Sequence, residues 1–281
     1  MILGTYGTQY QGDFMKVEDI KVALLRIEGT NCEDESLTAL KYLGAKPEHV
    51  HLNELIKKKK SLEDYQMLFI PGGFSAGDYI RAGVIFAARI KATIKSDLLK
   101  FIEEGKIVLG VCNGFQVLIE LGILPGIENV WDEKPEAVLA PNISNRFECR
   151  WIYLKKEKSV CPFYETLPEK VFSMPIAHAE GRFMLPENKE KYMLNKIIEN
   201  GQIAFRYVDK DGNYADYPWN PNGSLYNIAG ICNRFGNVIG MMPHPERAFF
   251  PYQNLEFKRG NIETPGKYIF DGILKYISRK F

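Results

Sequence analysis

Lys106-Ile-Val-Leu-Gly-Val-Cys-Asn-Gly-Phe-Gln-Val-Leu-Ile-Glu-Leu121 is the stretch that decides the fold. Ile107, Val108 and Leu109 are a short apolar run, long enough only for a buried strand. Gly110-Val111-Cys112-Asn113-Gly114 follows, and then Phe115, Val117, Leu118 and Leu121 recur at helical spacing. A strand therefore runs into a helix with a cysteine on the turn, flanked two positions either side by glycine. This is the nucleophile-elbow pattern with sulfur in place of oxygen. So tight a turn strains the backbone and brings its neighbours close, which glycine permits. At a helix N-terminus, unpaired N–H groups and the helix dipole favour the thiolate of Cys112. A lone cysteine is by default a buried structural residue; the elbow context favours the nucleophile.

Around this stretch the chain alternates. Lys21 to Ile27 reads as a first strand, ending in Glu28-Gly29-Thr30-Asn31-Cys32-Glu33, with a helix to about Leu43. Glu48 to Leu52 can be a second strand and Gln66 to Ile70 a third. The third breaks into Pro71-Gly-Gly-Phe-Ser-Ala-Gly-Asp78, where glycines let backbone N–H groups point into a site. No Gly-Lys-Ser/Thr follows, so this is not a phosphate loop. Gly260 to Lys267 comes nearest to one and fails on spacing and on the missing hydroxyl. One long helical region is expected up to about Glu104. Strand–helix alternation of this kind signals α/β architecture, a mainly parallel sheet flanked by helices. Loops beyond the carboxyl ends of its strands are where ligands bind.

From Pro125 the pattern changes to shorter β-like stretches: 137–139, 148–154, 170–176, 203–208, 228–232 and 238–242. They imply a small antiparallel subsheet, with the last strands returning to the core. Thr264 to Phe281 reads as a closing helix, with Tyr268, Ile269, Ile273 and Ile277 on one face. Residues 1–20 are polar without a period and are expected to form an N-terminal extension, of which the first fourteen precede an alternative start at Met15. Residues 21–281 are expected to be a single domain.

Composition narrows the function classes. With 46% hydrophobic residues the chain has ample core, and a net charge of +1 points to neither nucleic acid nor an anionic membrane. No apolar run approaches a membrane span, and the start has no secretory pattern. The five cysteines are widely spaced and suggest neither a zinc site nor a disulfide framework. A reducing cytoplasmic compartment is expected, which a working thiolate also needs. The four lysines at 57–60 read as a solvated helix end.

A cysteine nucleophile needs a base, and the base needs an orienting acceptor. Val238 to Met242 ends in Pro243-His244-Pro245-Glu246-Arg247. If that segment is extended, Glu246 points the same way as His244 and can fix its tautomer. His178, in the loop His178-Ala-Glu-Gly-Arg182, also has a carboxylate two positions on, so spacing alone does not choose between the two histidines.

These motifs resemble a known family. Gly-Val-Cys-Asn-Gly-Phe-Gln at 110–116 and Pro-His-Pro-Glu-Arg at 243–247 are similar to the elbow and His-x-Glu segments of class I, triad-type glutamine amidotransferases. Gly29-Thr-Asn-Cys32, Pro71 to Asp78, Ile176-Ala-His-Ala-Glu-Gly-Arg-Phe183, Asn220-Pro-Asn-Gly-Ser-Leu225 and Gly240 to Ala248 narrow the resemblance. They look like the glutaminase component of phosphoribosylformylglycinamidine synthase, in purine biosynthesis. The resemblance runs from about residue 20 to 278 and implies a flavodoxin-like fold. Arg146-Phe-Glu-Cys-Arg-Trp151 is more like the version fused to the synthetase in long-chain forms.

The resemblance implies that Cys112 attacks the carboxamide of L-glutamine, with His244 as base and Glu246 orienting it, through a glutamyl thioester. It places the oxyanion donors at Gly73 and Asn113 and a glutamine contact at Gln116. By analogy His178 and Arg182 lie toward the synthetase, on the ammonia route. It implies no cofactor and no metal in this chain, with ATP and Mg belonging to a separate synthetase subunit, and a small third subunit besides. The rival readings are a glutaminase subunit for another amidation pathway, an unrelated thiol hydrolase on the same fold, and a catalytically silent subunit.

Overall fold

The computed structural model describes residues 14–254, 257 and 264–281. In chain order the elements are β1 (Lys21–Arg26), α1 (Glu33–Tyr42), β2 (Lys46–His51), α2 (Leu52–Ile56), β3 (Met67–Ile70), α3 (Val84–Thr93), α4 (Lys95–Glu103), β4 (Ile107–Val111) and α5 (Asn113–Leu121). There follow β5 (Val138–Pro141), β6 (Glu148–Lys156), β7 (Phe172–His178), β8 (Glu180–Met184), α6 (Glu190–Glu199), β9 (Ile203–Val208), β10 (Ile228–Cys232), β11 (Val238–Met241) and α7 (Pro265–Lys280).

Among the described residues the main sheet has nine strands in the order β2-β1-β3-β4-β11-β10-β9-β6-β7, and β5 pairs with β8 in a second sheet of two. From β2 to β11 the neighbours are parallel; from β11 to β7 they are antiparallel. Parallel strands covered on both faces must be apolar throughout, and every residue of β3, β4 and β11 is buried. This is why Ile107–Leu109 shows no alternation. The antiparallel part extends the main sheet, and the two-stranded β5–β8 ribbon stands apart from it.

Helix α7 closes the core with Ile269, Phe270, Ile273, Leu274 and Ile277, all buried. Truncating one such side chain to alanine typically costs about 2–5 kcal/mol. Met15 N donates to Ser278 O (3.1 Å), Ser278 Oγ donates to Met15 O (2.5 Å), and Ile20 is fully buried. Residues 15–20 thus pack along α7, while residues 1–13 of the expected extension lie outside the described residues. So do residues 260–263 of the near-match to a phosphate loop. No helix among the described residues is long and apolar enough to cross a membrane.

Three elements differ from the sequence expectation. The long helix before Glu104 is two helices, broken at Ile94, whose φ of −128° and ψ of 20° leave the helical region while its side chain stays buried. Residues 180–182 are strand and not loop. Along β8 the inward positions are Gly181 and Phe183, and a glycine at an inward position hides the apolar alternation. Helix α6 went unread because only Met193 and Ile197 on it are buried. Of the four lysines, Lys57 caps α2, and Lys60 is tied to Glu48 at 2.6 Å.

Candidate active site

Cys112 occupies the turn from β4 into α5 with φ 51° and ψ −106°, a region that costs a non-glycine residue conformational energy. Its N–H donates to Met241 O at 2.8 Å, its carbonyl accepts from Gln116 N at 3.1 Å, and its Sγ donates to Ala177 O at 3.4 Å. The turn is tight because α5 starts hard against β3: a Cβ on Gly114 would stand 1.8 Å from Ile70 O.

Strand β11 lies beside β4 with Met241 level with Val111. The chain leaving β11 therefore emerges next to Cys112, and His244 follows, its N–H donating to Pro175 O at 2.9 Å. Residues 245–247 form a 3-10 turn and not the extended segment expected. The turn still returns Glu246 to the ring: His244 Nδ1–H donates to Glu246 Oε1 at 2.5 Å, with both residues 1% exposed. That bond leaves Nε2 for chemistry, and Nε2 has no hydrogen-bond partner among the described residues. Burial alone would lower the pKa of His244, but the Glu246 carboxylate and the Cys112 and Cys32 thiols outweigh it and hold the imidazole well above its ordinary value. A cationic imidazole beside a thiol favours the thiolate.

The glycine loop after β3 threads between these groups. A Cβ on Gly72 would meet His244 Cε1 at 2.8 Å, Cys32 Sγ at 3.2 Å and Cys112 Cβ at 3.3 Å. Gly72 O accepts from the N–H groups of Asn31 and Cys32, both at 3.3 Å, so the loops after β1 and β3 hold each other. Gly73 has φ 141°, and a Cβ there would stand 2.8 Å from both Asn31 N and Gly29 O. Gly73 lines the same small cavity as Cys112. Asn113 is the first residue of α5, where backbone N–H groups have no intrahelical partner.

That cavity, about 40 Å³, is walled by Gly73, Asp78, Cys112, Gln116, His178 and Glu180, among others. Asn113 Nδ2 donates to Gln116 Oε1 at 2.9 Å and to Asp78 Oδ1 at 3.3 Å, and Asn113 Oδ1 accepts from Ser75 N at 3.2 Å. Gln116 Nε2 donates to Glu180 O at 2.5 Å. Burial, followed by the like charge of Glu180, pushes the Asp78 carboxyl up.

His178 does not lie on an exposed face; it is 2% exposed. Its Nδ1 is 3.0 Å from Asn142 Oδ1, which also accepts from Gly181 N, while Asn142 Nδ2 donates to Arg146 O and His178 O. The amide orientation makes His178 Nδ1 the donor. Burial first, then the charges of His244 and Arg150, push its pKa down to about 3. It is a permanently neutral wall residue at ordinary pH, unsuited to act as a base. Arg182 is half-buried on β8, with Nε donating to Gly223 O at 3.3 Å.

The structure therefore gathers Cys112, His244, Glu246, Gly73, Asn113 and Gln116 around one point and leaves Arg182 outside the cavity wall. Sequence reasoning missed Asp78, Cys32 and Asn142, and took Glu180 only as a candidate partner of His178, whereas its carboxylate accepts from Ala82 N at 3.2 Å. Asp78 and Cys32 stand inside motifs quoted above, but no spacing rule marks them. Asn142 carries no sequence signal.

The comparisons with known proteins agree with this geometry at the level of class: the domain family described as CobB/CobQ-like glutamine amidotransferase matches residues 19–277. A curated relative from Archaeoglobus fulgidus, the phosphoribosylformylglycinamidine synthase subunit PurQ, is 51% identical over 94% of this chain and 100% of its own. The subunit of the same name from Picrophilus torridus is 50% identical over 89% of this chain and 96% of its own. Among solved structures, a chain of the Thermotoga maritima PurLQS superposes with a TM-score of 0.69 at 32% identity, covering 92% of this chain and 99% of that one. The chain belongs to the PurQ family of phosphoribosylformylglycinamidine synthase subunits.

Proposed function

We propose that this chain hydrolyses L-glutamine and passes the ammonia to a separate synthetase subunit, which converts formylglycinamide ribonucleotide to formylglycinamidine ribonucleotide in purine biosynthesis. Family membership over nearly the whole chain supports the pathway. The observation that carries the chemistry is Cys112 on a strained turn beside a histidine held by Glu246 at 2.5 Å. The name PurLQS of the Thermotoga maritima assembly supports a synthetase partner and a small third subunit. No cofactor is needed for the hydrolysis, and ATP and Mg belong to the synthetase. A cytoplasmic location fits that pathway.

In this reading the Cys112 thiolate attacks the side-chain carbonyl carbon of glutamine. The oxyanion takes the N–H groups of Gly73 and Asn113, each worth about 10²–10³ in rate at comparable sites. His244 Nε2–H gives its proton to the leaving nitrogen, the C–N bond breaks, and ammonia departs from a glutamyl thioester. Neutral Nε2 then takes a proton from water, the hydroxide attacks, and glutamate leaves with the thiolate restored. Gln116 receives the amino-acid end of the substrate, and the carboxylates of Asp78 and Glu180 supply the charge its ammonium seeks. The cavity beside the thiol is small, about 40 Å³, which fits hydrolysis gated by the partner.

The test is intact-mass labelling with a diazo-ketone analogue of glutamine, alone and with the partner, followed by peptide mapping. A single adduct on Cys112, blocked by glutamine and lost in Cys112→Ser, is expected. An adduct that glutamine does not block would point to a different hydrolase, and no adduct to a silent subunit.

A further inference from the structure

Behind the catalytic pair a third group completes an unassigned cluster. Cys32 Sγ, a ring nitrogen of His244 and a carboxylate oxygen of Glu246 lie within 4.8 Å of one another, all on buried residues. On these residues His244 Nε2 and Glu246 Oε2 have no hydrogen-bond partner among the described residues. Cys32 is not loosely placed: its N–H donates to Gly72 O at 3.3 Å, and its sulfur accepts from Arg247 Nη2 at 3.2 Å. Burial pushes its thiol pKa up, while the neighbouring imidazole and guanidinium draw it back.

We propose that Cys32, His244 and Glu246 form a binding site for a thiophilic divalent cation, Zn²⁺ being the ion their donors suit, and that its occupancy switches glutamine hydrolysis off. One thiolate, one imidazole and one carboxylate are three of the ligand types zinc takes, at about 2.0–2.3 Å. Tetrahedral geometry at those lengths sets donor separations near 3.3–3.8 Å, so the 2.5 Å bond between His244 Nδ1 and Glu246 Oε1 gives way as the ion enters. The Cys32 thiol gives up its proton on binding, so thiolate and carboxylate together neutralise the ion. Arg247 also faces Glu35, at 3.6 Å, which offers its charge another partner. The fourth position falls to water or to the Cys112 sulfur. An ion here occupies the histidine that the hydrolysis needs. The inhibition rests on the glutaminase reading; the binding does not.

The test uses the full chain freed of metal and titrated with Zn²⁺ and, for its spectrum, Co²⁺. Wild type and Cys112→Ser are expected to bind one ion and to show a thiolate-to-cobalt charge-transfer band. Cys32→Ser is expected to lose the band and to bind Zn²⁺ at least about 100-fold more weakly, beyond the loss typical of an outer-sphere change. Should Cys32→Ser fail to fold by circular dichroism, Glu246→Gln replaces it, with weakened Zn²⁺ binding expected and unchanged binding overturning the proposal. A band that persists in Cys32→Ser, a band lost in Cys112→Ser, or no stoichiometric binding to wild type would each overturn it. In the complex with the synthetase, zinc is also expected to stop turnover by the wild type, reversibly with a chelator, at concentrations that Cys32→Ser tolerates; equal sensitivity of the two would overturn the switch. Absence of glutamine turnover and labelling in the metal-free complex would instead sink the glutaminase reading and leave the binding result intact.

Discussion

Gly114 of α5 sits so close beneath Ile70 at the end of β3 that the helix can begin where it does only without a side chain at that position. We expect Gly114→Ala to lower stability by about 1–3 kcal/mol, the usual range for overpacking. It should also cost more activity than that loss explains, because the displaced helix start carries Cys112 and Asn113. Denaturant unfolding together with the rate of Cys112 labelling separates the two effects. An alanine variant with normal labelling would show that the close approach does not set the turn.

Glu246→Gln keeps the shape of the group that holds His244 Nδ1 and removes its charge. The imidazole then loses the carboxylate that raises its pKa and can present the wrong tautomer. We expect kcat in the assembled complex to fall by about 10²–10⁴ with little change in KM. A variant within threefold of wild type would remove Glu246 from the mechanism.

Gln116 and Asp78 should behave differently from the triad. Both line the cavity without touching the sulfur in the hydrogen-bond network described. We expect Gln116→Ala and Asp78→Asn to raise KM for glutamine about tenfold or more, with smaller losses in kcat, as befits groups that bind the unreactive end. Steady-state glutaminase kinetics in the complex decide it.

His178 ties the fold to pH. Its pKa is pushed from the usual 6.5 to about 3 in the folded chain. Below about pH 6.5 the unfolded chain takes up a proton that the folded chain refuses. Stability from this group is therefore complete above pH 6.5 and is lost as pH falls toward 3. We expect His178→Asn to be less stable at pH 7.5 but to lose stability less steeply than wild type between pH 6.5 and 4. Melting curves across that range are the check, and parallel slopes would contradict it.

Most of the parallel half was legible because buried strands and amphipathic helices leave strong local patterns. Ile107–Leu109 and the α7 face are examples. The elbow cysteine and the His-Pro-Glu turn could be read because their chemistry is packed into a few adjacent residues. The conformation of that turn could not: extended and 3-10 backbones both return Glu246 to His244. Glu180–Met184 was illegible because Gly181 takes an inward position. The carboxylate of Asp78, the place of Glu180 in the cavity wall and the amide of Asn142 were illegible for a different reason. Their roles come from neighbours distant in sequence, across β5, β7 and β8, and no local pattern records such a meeting.

The sheet order sets β11 directly against β4, so the sulfur of Cys112 and the imidazole of His244 meet across 132 positions of sequence. A nascent chain released from the ribosome anywhere before Val238 holds a cysteine without its base. In the proposed mechanism it is chemically mute toward glutamine however well its first strands have folded. Catalytic competence in that mechanism thus arrives only once β11 and the turn after it are made, and products truncated before them do not leak ammonia away from the synthetase.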